Sequence, residues 1–103
     1  IAFVAEDSDR IISTVFLHIV EMPPSPKFPN GLTGEVLNVY TKPEYRGRGI
    51  CTKLMNMLLD SAKEHKLCRV DLSATEAGYP VYKKIGFKEK DNTYIEMRYN
   101  INE

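Results

Sequence analysis

The chain has 103 residues, 43% of them apolar, and a formal charge of zero from 14 basic and 14 acidic side chains, the balance of one small globular domain. Neither half is basic: five basic residues face six acidic ones in 1–50, and nine face eight in 51–103, which argues against nucleic acid as a partner. No apolar run nears the ~18 residues that would span a membrane, and Cys51 and Cys68 form neither a disulfide framework nor a metal-ligand spacing, so no metal is expected and a cytoplasmic, reducing setting is.

The chain opens at Ile1 without a Met and enters a strand at once, Ile1–Ala5, the expectation being a domain that is N-terminally incomplete. Glu6-Asp7-Ser8-Asp9 is turn chemistry, and the β-branched run Ile11–Val20 reads as a second strand paired back by a hairpin. Glu21–Gly31 holds four of the six prolines and is a stiff loop. Gly34–Thr41 is a third strand, with Glu35, Leu37, Val39 and Thr41 expected on one face and Val36, Asn38 and Tyr40 on the other. After Arg46-Gly47-Arg48-Gly49, Ile50, Leu54, Met57, Leu58 and Ala62 recur at helical spacing and predict a helix over Ile50–His65. Leu67–Ala74 follows as a fourth strand and Tyr79–Ile85 as a short helix ended by Gly86. Phe87–Lys90 and Tyr94–Tyr99 read as a closing hairpin around Asp91-Asn92-Thr93. The strand–helix–strand step across Ile50–His65 predicts a parallel pair, and the remainder hairpins. The expected fold class is therefore α+β, a mixed central sheet with a long helix after the third strand and a short helix before the C-terminal hairpin.

The segment Val39 to Thr52 carries the chemistry. A strand runs into a glycine-rich turn that opens a helix, where the first backbone N–H groups lack intrahelical partners and the dipole is positive. Such a place suits an anion such as a pyrophosphate, and Arg46 and Arg48 add charge. By itself the pattern fits a tight strand-to-helix turn as well. The chain has no Gly-x-x-x-x-Gly-Lys-Ser/Thr run, and Thr52 stands where a dinucleotide fingerprint needs its third glycine.

Arg46-x-x-Gly49-x-Cys51, within Tyr45-Arg46-Gly47-Arg48-Gly49-Ile50, closely resembles the coenzyme A pyrophosphate motif of the GNAT N-acetyltransferase family. Tyr82-Lys83-Lys84-Ile85-Gly86-Phe87 resembles that family's Tyr-x-x-x-Gly-Phe signature. The resemblance covers nearly all of residues 1–103 as a single domain. It departs in two ways: Cys51 replaces a smaller residue, and the family's first strand and two helices are lacking. The resemblance implies acetyl-coenzyme A as co-substrate and direct transfer, in a ternary complex, to a primary amine of a small molecule or peptide. It implies that Val39, Tyr40 and Thr41 line the pantetheine arm, with the Val39 amide at the thioester carbonyl. Arg46, Gly47, Arg48, Gly49, Ile50, Cys51 and Thr52 would then hold the pyrophosphate. It places Tyr82 as general acid and Glu35, eleven residues before Arg46, as the base. His18, His65, Met55, Met57 and Met97 read as structural, and Lys83, Lys84, Lys88 and Lys90 as a solvated face. The alternative is an inactive or truncated coenzyme A-binding or interaction module. An unpaired N-terminal strand edge also predicts a homodimer through Ile1–Ala5.

Overall fold

Ser8 and Asp9 both take positive φ, 50° and 65°, the conformation of a two-residue hairpin turn whose twist matches its strands. This joins β1 (Ala2–Asp7) to β2 (Arg10–Glu21) in antiparallel register. β2 then pairs antiparallel with β3 (Leu32–Thr41), and β3 pairs parallel with β4 (Val70–Asp71), giving the sheet order β1-β2-β3-β4. The computed structural model describes residues 1–24, 26, 30–90 and 95–102.

α1 (Ile50–Glu64) lies across this sheet. It buries Leu54, Met55, Leu58 and Ala62 against Val15, Leu17 and Val36. The apolar stripe is therefore turned slightly from the one expected: Met55 is buried and Met57 is 47% exposed. Gly34 lets the sheet and the α1–β4 connection close up, since a Cβ there would sit 2.8 Å from Leu17 Cδ1 and 2.9 Å from Leu67 Cδ1. Asn30 pins the same connection. Its Nδ2 donates to the Lys66 carbonyl at 2.6 Å, its Oδ1 accepts from the Leu32 amide at 3.1 Å, and the Cys68 amide donates to the Leu32 carbonyl at 2.8 Å.

The face assignment along β3 is corrected by one residue. Asn38 takes φ +52°, which Asn tolerates better than β-branched neighbours do. Thr14 faces Tyr40 on one side of it and Phe16 faces Leu37 on the other, so Asn38 and Val39 together oppose Val15. This bulge adds a residue and reverses the alternation. Glu35 and Leu37 point away from α1, whereas Val39 packs on the core and Thr41 meets the buried Ser13.

Two other expectations change. The fourth strand spans Val70–Asp71 rather than Leu67–Ala74, pairing only with Gly34 and Glu35. The closing hairpin is absent from the described residues: Phe87–Lys90 and Ile95–Tyr99 have no strand pairing, while Asp91–Tyr94 lie outside them. Alternating apolar side chains make a strand only where a surface is at hand to bury one face, and Ile95, Met97 and Tyr99 are left exposed. The short helix α2 (Tyr79–Ile85) forms as expected and ends at Gly86 with φ 127°.

Candidate active site

The parallel pairing of β3 and β4 ends after Glu35 and Asp71. Beyond it β3 continues to Thr41 along β2 alone. The sheet thus opens into a wedge between the second half of β3 and residues 72–74. The chain leaves β3 through a single 3₁₀ turn, Pro43–Tyr45, and enters α1 beside this wedge.

Gly49 is the N-cap of α1 at φ +76°, with Gly47 at +78°. No side chain caps the helix. Its hydrogen-bond ladder starts with the Lys53 amide donating to the Gly49 carbonyl at 3.1 Å, so the amides of Ile50, Cys51 and Thr52 precede it. A Cβ on either glycine would meet no atom within 4 Å. The glycines therefore serve backbone direction rather than crowding, and the space in front of the amides is open. An anionic group fits here by charge and by shape.

The turn is held by side chains. Arg46 Nε donates to the Thr41 carbonyl at 3.0 Å, and the Arg48 guanidinium lies 5.1 Å from the centre of the Tyr45 ring. The Tyr45 hydroxyl donates to Asp7 Oδ2, tying the β1–β2 turn to this loop. That bond to a carboxylate is the main reason the Tyr45 phenol is held above its ordinary pKa. Ser13 Oγ donates to the Tyr40 carbonyl at 3.1 Å and pairs with Thr41 Oγ1 at 2.8 Å. Asp7, Ser13 and the bulge at Asn38 were not singled out from sequence. Only the Asn offered a signal, as a residue that accepts positive φ.

Tyr82 sits on the α1 side of the sheet, half-buried against the core beside Cys51 and Leu72. Its ring packs edge-on to Phe87, centroids 6.1 Å apart. Gly78 makes room for it, since a Cβ there would come within 2.8 Å of Tyr82 Cε2. Burial, with a smaller contribution from Cys51, pushes the Tyr82 phenol above its ordinary value, and burial pushes the Cys51 thiol up likewise. Tyr82 thus keeps its proton through neutral pH.

Glu35 lies on the opposite sheet face, and its side chain is 55% exposed. His18 Nδ1 stands 3.9 Å from its Oε2, and Asp71 is its register partner on β4, itself turned to Arg69 Nε at 3.1 Å and Lys90 Nζ at 3.7 Å. The fold therefore packs Val39, Cys51 and Tyr82 against the same core, while Thr41 is held by Ser13 at the end of β3. Glu35 stands at the point where the wedge begins but faces the other way from Tyr82.

Comparisons with known proteins bear on the family and the fold. Residues 1–89 match the family described as acetyltransferase (GNAT) domain. A glucosamine 6-phosphate N-acetyltransferase of Trypanosoma brucei brucei is 30% identical over 88 residues, 84% of this chain and 56% of that protein. Among solved structures, a predicted acetyltransferase with acetyl-CoA from Clostridium acetobutylicum matches with TM-score 0.85 and 34% identity, over 94% of this chain and 62% of that one. A GCN5-related N-acetyltransferase from Ralstonia eutropha JMP134 matches with TM-score 0.80 and 30% identity, over 91% of this chain and 62% of that one. The chain spans less than two thirds of the length of each.

Proposed function

The chain belongs to the GNAT acetyltransferase family, and on that premise we propose that it transfers an acetyl group from acetyl-coenzyme A directly to a primary amine of a small molecule or peptide. The observation that carries this reading is the wedge: two parallel strands part beside an uncapped helix N-terminus that opens on two positive-φ glycines. Acetyl-coenzyme A supplies the activated acyl group. The amides of Ile50, Cys51 and Thr52 would hold its pyrophosphate. The β3 backbone over Val39, Tyr40 and Thr41 would pair with the pantetheine arm as an added strand does. The Val39 amide would donate to the thioester oxygen as negative charge develops there.

In this reading the amine nitrogen attacks the thioester carbon, a C–N bond forms and the C–S bond breaks. The nitrogen gives up its proton to water or to Glu35, whose exposure suits a water-mediated path. Tyr82 serves the departing sulfur. A phenol held above ~10 is a weaker acid than a thiol near ~8.5, so its main contribution is a hydrogen bond that strengthens as the sulfur becomes charged. The reading also places the protein in the cytoplasm, supported by two cysteines that are both free.

Calorimetry with coenzyme A, followed by thiol release from acetyl-coenzyme A with a panel of amines, tests the proposal. Tight binding with amine-dependent thiol release is the expected result. Absence of binding would refute the site. Binding without release to any amine would leave the coenzyme A-binding module as the function.

A further inference from the structure

A carboxylate is tied to the loop of the proposed anion site. Asp7 ends β1, and its Oδ2 accepts a hydrogen bond from the Tyr45 hydroxyl, 38 residues on, in the loop that leads into α1. Like charges repel. By its charge alone, Asp7 would weaken the hold of the Ile50, Cys51 and Thr52 amides on a pyrophosphate. A carboxylate at this place needs a second reason, and its contacts supply one.

The contacts form a chain from the first hairpin to the glycine-rich turn. Asp7 faces Arg10 across the Ser8-Asp9 turn, which holds both in register at the end of the hairpin. Tyr45 closes the 3₁₀ turn, with its hydroxyl on Asp7. The Arg48 guanidinium lies 5.1 Å from the centre of the Tyr45 ring, within the range of cation–π attraction. Arg10 and Arg48 both act on the phenol from nearby, opposing the rise in its pKa that Asp7 causes. Arg48 itself stands between Gly47 and Gly49, one residue before the N-cap of α1. Neither glycine has a side chain to lean on, and the space where a Cβ would stand is open at both. The two arginines of the loop are thus held by different means: Arg46 through Nε on the Thr41 carbonyl, Arg48 against an aromatic ring whose hydroxyl is anchored on β1.

We propose that Asp7 is a positioning residue for coenzyme A. Its carboxylate fixes the Tyr45 ring, the ring fixes the Arg48 guanidinium, and Arg48 meets a phosphate of the ligand already ordered. The inference rests on the pyrophosphate assignment made above and extends that site to the β1–β2 hairpin. An arginine ordered before the ligand arrives loses little rotamer freedom on binding. Ordering one such side chain costs roughly two- to twelvefold in affinity, which sets the size of the expected effect. The sign is as informative as the size. Positioning predicts that deleting the carboxylate weakens binding of an anion, whereas charge alone predicts that deleting it strengthens binding.

Calorimetry with coenzyme A on the full chain separates the two. Asp7→Ala should bind roughly two- to twelvefold more weakly than the parent, although it removes a negative charge. Tyr45→Phe keeps the ring, removes only the hydroxyl, and should lose affinity in the same range. The Asp7→Ala, Tyr45→Phe double variant should be no weaker than either single one, because all three cut the same chain of contacts. Asp7→Asn retains an oxygen acceptor without the charge and should bind at least as tightly as the parent. Circular dichroism confirms the fold of each variant, and Tyr45→Phe carries the test where Asp7→Ala disturbs the hairpin. Binding by Asp7→Ala or Tyr45→Phe as tight as the parent's, or tighter, would overturn the inference and leave the pyrophosphate site standing. Losses that simply add in the double variant would overturn it equally, because Asp7 and Tyr45 would then act separately. A parent chain that binds no coenzyme A would instead remove the site itself, and this inference with it.

Discussion

Gly49→Val tests the anion site where its geometry is most demanding. Gly49 holds φ +76° as the N-cap of α1, a conformation that costs an ordinary L-residue roughly 1–2 kcal/mol and a β-branched one more. No atom crowds a Cβ at this position, so the penalty is wholly one of backbone direction. Relief of that strain turns the Ile50, Cys51 and Thr52 amides off their common target. A hydrogen bond to a charged group is worth about 1.5–3 kcal/mol, so losing one such bond weakens coenzyme A binding by about 10- to 150-fold. Calorimetry measures this directly, with circular dichroism to confirm that α1 persists. Gly49→Asn should lose less, since Asn accepts positive φ. Coenzyme A binding to Gly49→Val as tight as to the parent would refute the reasoning.

Tyr82→Phe should lower kcat by about 10²-fold or more with KM little changed, because the hydroxyl acts on charge that develops only during the reaction; steady-state kinetics with chemistry shown to be rate-limiting decides it. Since burial raises the Tyr82 pKa and the protonated form is the active one, no loss of rate assignable to Tyr82 should occur below about pH 9, and a fall is expected only above ~10; comparison of the parent and Tyr82→Phe pH profiles checks the sign. Leu58→Ala removes a side chain of 0% exposure and should cost about 2–5 kcal/mol in urea unfolding. Asn38→Gly should stay near the parent in stability, while Asn38→Val should lose roughly 1–2 kcal/mol or more at φ +52°; equal losses in the two variants would contradict the bulge as the reason for Asn.

Those elements whose cause is local were legible in the sequence. The period of Leu54, Leu58 and Ala62 marks α1 because an amphipathic helix needs only its own spacing. Gly47, Gly49 and Gly86 mark turns because positive φ is written into the residue type. The parallel β3–β4 pair followed from the helix between its strands. Features set by contacts distant in sequence were not legible. Val39 and Thr41 were expected to share a face with Glu35 because simple alternation holds until a bulge intervenes, and Asn38 bulges only opposite Val15. β4 was expected to be longer because apolar content does not say where a partner stops. Tyr94–Tyr99 reads as a paired strand from its pattern alone; among the described residues 95–99 pair with no strand, because alternation by itself supplies no partner edge. In the site, the motifs located Gly47–Thr52 and Tyr82. The tie from Tyr45 to Asp7 spans 38 residues and no spacing announces it.

The brevity of β4 also bears on how the protein assembles and breathes. β1, β2 and β3 are joined by successive hairpins, whereas β4 reaches Gly34 and Glu35 only after the whole of α1 has been laid down between them. Closing that long segment has an entropic cost before two register pairs can offset it. The hairpin meander is therefore expected to organise first and the β4 edge last. The same ordering should govern opening from the native state: amide hydrogens at Val70 and Asp71 should exchange well before those in the middle of β2. The wedge would then widen through a local event far less costly than global unfolding, which gives a long, branched ligand a route in.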